Sequence, residues 1–437
     1  MKQRYDSYKP SGIDWIGEIP SHWKTAAIKN SFRLYAGATP KTERREYWDG
    51  EIIWVTPADY KTDDHYINRG RKNITKDGLA SCATEIVPAE SLIFSKRAPI
   101  GTVGLAKNPL CTNQGCIACV PKSKTVSNYF YYLCRIATKE FEILGSGATF
   151  LEISTSNFAN FKFPLPPYSE QEAIATWLDE KCSEIDAAIA KVDREIELID
   201  ELKHSEISRV VTRGLNPDVA LKSSGIDWIG EIPCHWDCVK TLFALSMPIT
   251  DGPHETPTLY EDGIPFISAE AISTGKIRFD HMRGYISQAY YEECCKKYIP
   301  QRNDIYMTKS GASTGRVALV ETDCIFTIWS PLAVFRANAS KTDYKFLYYV
   351  LLSECYQKQV ENGWSYGTQQ NIGMRTLEKL KIPLPPLTEQ QSISDYLDKK
   401  CAEIDGLKEK LVRKRETLKE FRQSIISEVV TGKRKVI

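Results

Sequence analysis

Three cysteines in the first half of the chain have the residue type and the close spacing of metal ligands. Cys111, Cys116 and Cys119 could supply thiolates to zinc, which proteins usually hold with four ligands. No second Cys-x-x-Cys pair and no paired histidine completes the set. Since Cys116–Val120 has the apolar character of a buried strand, we predict a structural role for these thiols and no metal site.

Two other segments invite catalytic interpretations that their residues do not support. Leu165–Tyr168 contains the Pro-Pro-Tyr found in enzymes that methylate amino groups, but the preceding side chain must accept a hydrogen bond, and leucine cannot. Gly311–Arg316 is rich in glycine but lacks the Lys-Ser/Thr of a phosphate-binding loop. With no HExxH helix and no carboxylate pattern of a nuclease, we predict a chain without a catalytic site or bound cofactor.

The composition is typical of a globular protein with more than one domain. A chain of 437 residues exceeds one ordinary core, and 42% hydrophobic with 26% charged residues exclude a disordered chain. The N-terminus lacks the apolar segment of a signal peptide, and no run of about 18 apolar residues occurs, so we expect a cytoplasmic protein without membrane spans. Thirteen irregularly spaced cysteines favour free thiols.

An internal repeat organises the chain. Ser11–Trp23 returns as Ser224–Trp236 with twelve of thirteen residues unchanged, and Phe163–Ile189 returns as Ile382–Lys408. Each copy therefore consists of a box, a variable region, a Pro-Leu-Pro-Pro segment and a helical stretch. The variable regions share only turn and strand signals, which predicts two related domains with different surfaces. The matching stretches are Gly37–Pro40 with Asp251–Pro253, Trp48–Trp54 with Asp262–Ile267, and Arg97–Leu105 with Gly311–Leu319.

Two long helices follow the Pro-Leu-Pro-Pro segments. Ser169–Glu172 and Thr388–Gln391 have the capping-box pattern of a helix start. Each helix should span roughly 45 residues, and apolar residues recur at alternating steps of four and three, which is typical of a heptad seam. The seam residues are Ile185, Ile189, Val192, Ile196 and Ile199 in the first helix, and Ile404, Leu407, Leu411, Leu418, Phe421 and Ile425 in the second.

The economical partner for each apolar seam is the other helix, which predicts an antiparallel pair with a pseudo-two-fold axis. In that arrangement the C-terminus near Val430 lies close to the box that begins at Ser11. An intermolecular coiled coil, or a helical hairpin inside another fold, is the alternative for the same pattern. The predicted fold class is α+β, with two tandem globular domains joined by two long antiparallel helices.

The Ser-Gly-Ile-Asp-Trp-Ile-Gly-Glu-Ile-Pro box, the Gly-x-Thr-Pro to Tyr-Trp-x-Gly stretch and the Pro-Leu-Pro-Pro-x-x-Glu-Gln segment together resemble the specificity subunits of type I restriction-modification systems. The resemblance covers nearly the whole chain. It implies a non-catalytic subunit whose two target recognition domains each read half of a split double-stranded DNA target. Two methyltransferase subunits would dock on the helices and methylate an adenine in each half, and translocase-endonuclease subunits would join them. S-adenosylmethionine, ATP and Mg²⁺ would belong to those partner subunits.

On this basis the chain divides into seven regions. They are residues 1–23 (N-terminal box), 24–163 (target recognition domain 1), 164–214 (first long helix), 215–236 (linker and repeated box), 237–382 (target recognition domain 2), 383–431 (second long helix) and 432–437 (tail). Residues 24–163 carry 19 basic and 13 acidic side chains, whereas residues 237–382 carry 16 of each. A basic excess, which favours nucleic acid, is therefore confined to the first domain.

Basic side chains of the two domains are the candidates for contacts with DNA phosphates and base edges. The candidates are Arg44, Arg45, Lys61, Arg69, Arg71, Lys72, Lys96 and Arg97 in the first domain, and Lys276, Arg278, Arg283, Lys309 and Arg316 in the second. The resemblance implies that loops at Lys96–Gly101 and Lys309–Gly315 face the DNA. The glycine-rich runs Gly145–Gly147 and Gly363–Gly367 could approach the DNA backbone or form plain turns.

The resemblance also implies that Pro164–Leu178 and Pro383–Leu397 pack against the methyltransferase subunits. The partner-binding candidates are Pro166, Glu170, Gln171, Leu178, Pro385, Glu389, Gln390 and Leu397. The alternative interpretation of the chain is a coiled-coil scaffold with two protein-binding heads and no sequence-specific DNA binding. Salt-dependent DNA binding separates the two interpretations, because phosphate contacts release counterions.

Overall fold

A computed structural model of the chain describes residues 3–61, 64–97, 99–146, 151–273, 275–366 and 370–436. The chain forms two compact units: unit 1 contains residues 1–192 and 413–437, and unit 2 contains residues 193–412. Each long helix therefore contributes one half to each unit. Ala98, Gly147 and Gly367, which belong to the predicted loops and turns, lie outside the described residues.

Unit 1 has a five-stranded sheet at its centre, here called main sheet 1. Its strands lie in the order Phe32–Ala36, Cys116–Pro121, Leu92–Ser95, Val103–Ala106 and Tyr66–Ile67. Among the three middle strands, Leu92–Ser95 runs antiparallel to both Cys116–Pro121 and Val103–Ala106. All three are almost entirely buried, which matches their mainly apolar sequences. The strand predicted at Cys116–Val120 is confirmed.

The rest of unit 1 surrounds this sheet with short elements. Satellite sheet 1 has the strand order Cys111–Thr112, Trp48–Val55 and Lys72–Ile74. Two further strand pairs are Tyr8–Pro10 with Glu18–Pro20, and Lys24–Ala27 with Lys162–Leu165. The shorter helices are Ile28–Ser31, Lys76–Ala80, Ser127–Ile136, Thr138–Ile143 and Thr155–Asn160, and the 3-10 turns are Arg45–Tyr47 and Pro57–Asp59.

Unit 2 repeats this plan. Main sheet 2 has the strand order Thr250–Asp251, Leu332–Phe335, Ile305–Thr308, Val317–Leu319, Gly275–Ile277 and Ile272–Ser273, and satellite sheet 2 has the order Gly284–Ile286, Ile264–Ile267 and Thr327–Ile328. The further strand pairs are Leu221–Ser223 with Glu231–Pro233, Asp237–Lys240 with Lys381–Leu384, and Ser365–Tyr366 with Gln370–Asn371. The shorter helices are Gln288–Cys295, Tyr344–Leu352, Glu354–Asn362 and Met374–Lys379, with 3-10 turns at Thr241–Ala244, Ala269–Ala271 and Phe279–His281.

Strand register identifies equivalent residues in the two units. Leu92 pairs with Leu105 in main sheet 1, and Ile305 pairs with Leu319 at the same place in main sheet 2. The matched glycines before the satellite sheets are equivalent as well. At Gly37 and at Gly252 a Cβ atom would collide with main-chain oxygens of the satellite sheet, so only glycine allows the chain to pass this closely.

Long helix 1 spans Tyr168–Arg213 and long helix 2 spans Leu387–Val430, with 46 and 44 residues. The predicted lengths are confirmed. Both helices begin one residue before the predicted capping box. The carbonyl of Pro167 accepts two N–H groups of the first turn at 2.9 and 3.0 Å, so Ser169 lies inside the helix and the capping-box prediction is wrong. None of the helices in the described part of the chain has the length and apolar character needed to cross a membrane.

Within each unit the two long helices pack antiparallel. In unit 2, Lys203 Nζ lies 2.7 Å from Asp405, and Lys408 Nζ lies 2.7 Å from Asp200, so positions rise along one helix as they fall along the other. In unit 1, Arg422 Nε lies 2.8 Å from Asp186 Oδ1. The predicted antiparallel pairing is confirmed, and ion pairs join the helices where the sequence pattern predicted apolar contacts.

The heptad seam of long helix 2 is wrong at two predicted positions. Leu407 and Phe421 are 52% and 50% exposed. The helix instead turns Lys408 and Arg422, one residue further along, toward long helix 1. Apolar spacing alone misidentified these two positions because charged residues occupy the packed positions there and are paired.

The two ends of the chain meet within unit 1. Tyr8 donates its hydroxyl to the carbonyl of Gly432 at 3.1 Å, and Lys435 N–H donates to the carbonyl of Gln3 at 2.9 Å. Gly432 has a φ of +77° and packs so tightly on Pro20 that a Cβ atom would collide with the ring. The predicted closeness of the Val430 region to the first box is confirmed.

Candidate nucleic-acid interface

One glutamate in each unit fastens the repeated box to a long helix. In unit 1, Trp23 Nε1 donates to Glu170 Oε2 at 2.9 Å, and His22 Nε2 lies 2.6 Å from the other carboxylate oxygen. In unit 2, Trp236 Nε1 donates to Glu389 Oε2 at 3.1 Å. Both tryptophans are fully buried. The last residues of the box therefore form a clasp that fixes the first strand of each domain to its helix.

The glutamine that follows this glutamate holds the recognition domain. Gln171 Oε1 accepts the N–H of Val126 at 3.1 Å, and Gln390 Oε1 accepts the N–H of Asp343 at 2.8 Å. Both glutamine side chains are buried. Each one satisfies a main-chain donor just before a domain helix, which a buried donor requires.

An aspartate two turns further along each long helix makes the third fixed contact. The hydroxyl of Tyr132 donates to Asp179 Oδ1 at 2.7 Å, and that of Tyr349 donates to Asp398 Oδ1 at 2.7 Å. Burial, and then the carboxylate contact, raises the pKa of both tyrosines, so they remain donors. Each domain is therefore held to its long helix at three equivalent points.

The structure shows where the eight partner-binding candidates lie. Six of these candidate side chains are buried inside their own unit: Pro166, Gln171, Leu178, Pro385, Gln390 and Leu397. The other two, Glu170 and Glu389, hold the boxes. Partner binding itself stays a prediction. Because buried side chains cannot touch a partner directly, contacts through these segments would use exposed neighbours such as Tyr168, Glu172 and Gln391.

The lysines at the ends of the central strands point inward. Lys309 is 9% exposed, and its Nζ lies 3.2 Å from the fully buried Asp251. Its equivalent, Lys96, lies 2.8 Å from Glu152 and has 14% of its side chain exposed. An ammonium that compensates a buried carboxylate is unavailable to a phosphate. Lys309 and Lys96 therefore hold carboxylates of their own units, and their contact with DNA stays a prediction.

The other DNA-binding candidates lie on or near the surface, and their contacts with DNA stay predictions. Arg44, Arg45, Lys61, Arg69, Arg71, Lys72, Lys276, Arg278, Arg283 and Arg316 are exposed, and Arg97 is partly buried. Some are already engaged within the chain. Arg278 is paired with Asp280 at 2.5 Å, and Lys72 Nζ lies 5.3 Å from the centre of the Trp48 ring.

The three cysteines considered first are buried in unit 1. Burial raises the pKa of Cys111 and of Cys116 to about 12, and that of Cys119 well above its usual value. Cys234 and Cys324 are exposed.

We expect iodoacetamide at pH 8 to label Cys234 and Cys324 first in the native protein, because the thiolate is the reactive form. Cys111, Cys116 and Cys119 should react only after denaturation. Mass spectrometry of tryptic peptides checks the order, and early labelling of Cys119 would contradict the buried strand.

Comparison with known proteins identifies the chain. The model of the type I restriction modification DNA specificity domain matches residues 20–198 and 254–412, one match for each repeat. The chain belongs to this family, the specificity subunits of type I restriction-modification systems. The family assignment gives it a role in DNA target specificity.

The similarity to one relative and to two solved structures extends over nearly the whole chain, and that to a second relative extends over about half of it. The chain is 26% identical over 430 residues to the type I restriction enzyme MjaIX specificity subunit of Methanocaldococcus jannaschii, covering 96% of this chain and 95% of that one. It is 27% identical over 207 residues to the EcoR124I/EcoR124II specificity subunit of Escherichia coli, covering 45% and 49%. A type I system structure described for complex assembly and conformational transition has a similar fold, with TM-score 0.71, 16% identity and 94% and 98% coverage. The HsdS subunit of Thermoanaerobacter tengcongensis superposes with TM-score 0.51, 16% identity and 95% and 98% coverage.

Four residues of the fixed contacts in unit 1 were absent from the sequence-based site: His22, Trp23, Tyr132 and Asp179. Their equivalents in unit 2 were absent too: His235, Trp236, Tyr349 and Asp398. A signal for them existed. His-Trp ends both boxes, and Leu-Asp recurs in both long helices. The tyrosines lie 47 and 49 residues before their aspartates, so they show no exact repeat.

Proposed function

We propose that this subunit reads a bipartite DNA target without catalysing a reaction itself. Residues 24–163 would read one half and residues 237–382 the other, while partner subunits methylate an adenine in each half and cleave unmodified DNA. The observation that carries this proposal is the equivalence of the two domains in register, together with their different surfaces. Two copies of one frame with different side chains are what two half-target readers require.

The partner subunits would supply the chemistry. In this proposal two methyltransferase subunits bind S-adenosylmethionine, and translocase-endonuclease subunits bind ATP and Mg²⁺. The target adenine would leave the base stack to reach the methyltransferase. Because the substrate is cellular DNA, we place the assembled complex in the cytoplasm.

The test is co-expression of the subunit with its methyltransferase, followed by sequencing of methylated adenines in host DNA. We expect a split motif with an unspecific spacer. Replacing residues 24–163 with the same domain of another family member should change one half of the motif and leave the other unchanged.

A stable assembled complex that methylates no defined motif would contradict the proposal and favour the scaffold interpretation. DNA binding measured at increasing salt gives a second readout. A specificity subunit should lose affinity steeply between about 50 and 200 mM salt, since each phosphate contact releases counterions.

A further inference from the structure

An arginine directly precedes the equivalent strand of the satellite sheet in both units. Trp54 pairs with Lys72 in satellite sheet 1, and Phe266 pairs with Gly284 at the equivalent place in satellite sheet 2. The central strand of each sheet also pairs in parallel with a third, equivalent strand. The residue just before the paired position is Arg71 in unit 1 and Arg283 in unit 2. Sequence comparison did not align these two arginines, because the loops around them differ in length.

Arg71 is held by the 3-10 turn that follows the central strand. Its Nη2 donates to the carbonyl of Ala58 at 2.8 Å, and its Nε lies 3.5 Å from Asp59 Oδ1. The Asp59 carboxylate also accepts the main-chain N–H of Arg71 at 3.0 Å. Nevertheless 76% of the Arg71 side chain is exposed. The guanidinium is therefore fixed on one edge and open on the other.

Arg283 is held differently at the same place. Its guanidinium carbon lies 4.1 Å from the centre of the Trp329 ring, and its Nη1 lies 3.7 Å from Glu270 Oε1. Glu270 belongs to the 3-10 turn Ala269–Ala271, the counterpart of the turn that holds Arg71. Stacking engages the flat face of a guanidinium and leaves its N–H groups directed outward in the plane. With 38% of its side chain exposed, Arg283 also presents an open edge.

These properties separate the two arginines from the other equivalent pair of basic residues. Lys96 and Lys309 are equivalent too, but the Lys309 ammonium faces the buried Asp251, and the Lys96 ammonium faces the partly exposed Glu152. A phosphate contact tolerates a mobile cation, whereas a base contact needs a donor pair of fixed direction. An arginine held by its neighbours, with an open planar edge, has the geometry that matches O6 and N7 of guanine.

We propose that Arg71 and Arg283 each recognise a guanine, one in each half of the DNA target. The inference rests on the proposed function and adds the residue and the base. It requires that both halves of the target contain at least one G·C pair. Trp329 and Asp59 are positioning residues in this scheme, since they orient the arginines.

The experiment uses the complete subunit assembled with its methyltransferase, with methylated adenines sequenced for the wild type, Arg71→Ala and Arg283→Ala. Arg71→Ala should lower discrimination for guanine at one position of one half by about ten- to a hundred-fold and leave the other half unchanged. Arg283→Ala should do the same in the other half. Trp329→Leu should relax the same position as Arg283→Ala, and Trp329→Phe, which keeps an aromatic face, should affect it less.

Matched controls are Arg33→Ala and Arg375→Ala, exposed arginines of the same two domains that are not among the DNA-binding candidates. They should keep the motif intact. The inference is overturned if Arg71→Ala and Arg283→Ala reduce methylation equally at all sites with an unchanged motif, which identifies phosphate contacts, or if a half target lacks a G·C pair. Thermal unfolding shows whether a variant is folded. A wild-type complex that produces no split motif contradicts the proposed function itself.

Discussion

Trp236→Ala should lower the free energy of unfolding of unit 2 by about 3–5 kcal/mol, the range for removing a large buried aromatic side chain. Trp236 is fully buried, and Gly214, at the end of long helix 1, packs against its ring. The substitution would leave a cavity beside Gly214. It would also remove the N–H group that donates a hydrogen bond to Glu389. Chemical denaturation followed by circular dichroism, with hydrogen exchange of unit 2 peptides, measures the loss.

Trp228→Ala is the matched control, because Trp228 lies in the same box but is 48% exposed. It should change stability by less than about 1 kcal/mol. Trp236→Phe keeps most of the packing and loses the N–H, so it should cost about 1–3 kcal/mol, the range for a hydrogen bond to a charged group. Glu389 keeps its contact with His235 at 2.9 Å. Equal effects of Trp236→Ala and Trp228→Ala would show that the clasp does not stabilise the unit.

Asp304→Ala should destabilise unit 2 by about 3–5 kcal/mol, the cost of breaking a buried ion pair on one side. Asp304 is buried at the start of the central strand of main sheet 2. Its two oxygens accept Arg336 Nε at 2.7 Å and Nη2 at 2.8 Å, and one also accepts the Tyr298 hydroxyl. Removing the carboxylate leaves the Arg336 guanidinium partly buried without its counter-charge. Denaturant unfolding and hydrogen exchange of the strand Ile305–Thr308 measure the effect.

Asp323→Ala provides the comparison, since Asp323 pairs with Arg302 at 2.7 Å in the same unit while both side chains are more than half exposed. An exposed pair of this kind contributes little, because water and salt screen it. If both aspartate variants had the same stability, the Asp304 network would not support the sheet. The residue equivalent to Asp304 in unit 1 is Ser91. Because serine carries no charge, unit 1 has no carboxylate at this position.

The two units combine a shared support with different exposed surfaces. The clasp, the glutamine contact and the aspartate–tyrosine contact occur in both, and each uses a residue of the repeated Glu-Gln and Leu-Asp segments. Recognition domains attached at the same three points can change their surface residues without changing how they are held. Under the proposed function, this division would allow the same support to carry two different half-target specificities.

The repeat accounts for how much of the fold was predictable. Two nearly identical boxes require nearly identical surroundings. The two related units, the two long helices and the meeting of the chain ends could therefore be predicted from the sequence. Two positions of the seam of long helix 2 did not follow. Leu407 and Phe421 have the expected spacing, but at these two steps the packed residue is the next one, where Lys408 and Arg422 pair with the other helix. The spacing of apolar residues identifies apolar contacts, but it does not reveal ion pairs between segments that are far apart in the chain.

The candidate DNA surface was predictable in type but not in position. The sequence alone offered no reason to prefer Lys309 or Arg283 as a DNA-binding residue. The fold turns one toward Asp251 and rests the other on Trp329, which lies 46 residues away along the chain.

The sequence by itself determined the family, the two-fold repeat, the long helices and the set of basic residues, because these depend on local patterns and on identity between copies. The tertiary structure decided which basic residues are buried, that Arg71 and Arg283 are equivalent, and that the Glu-Gln segments face inward. Those properties depend on strand register and on contacts between residues far apart in the chain, which no local pattern encodes.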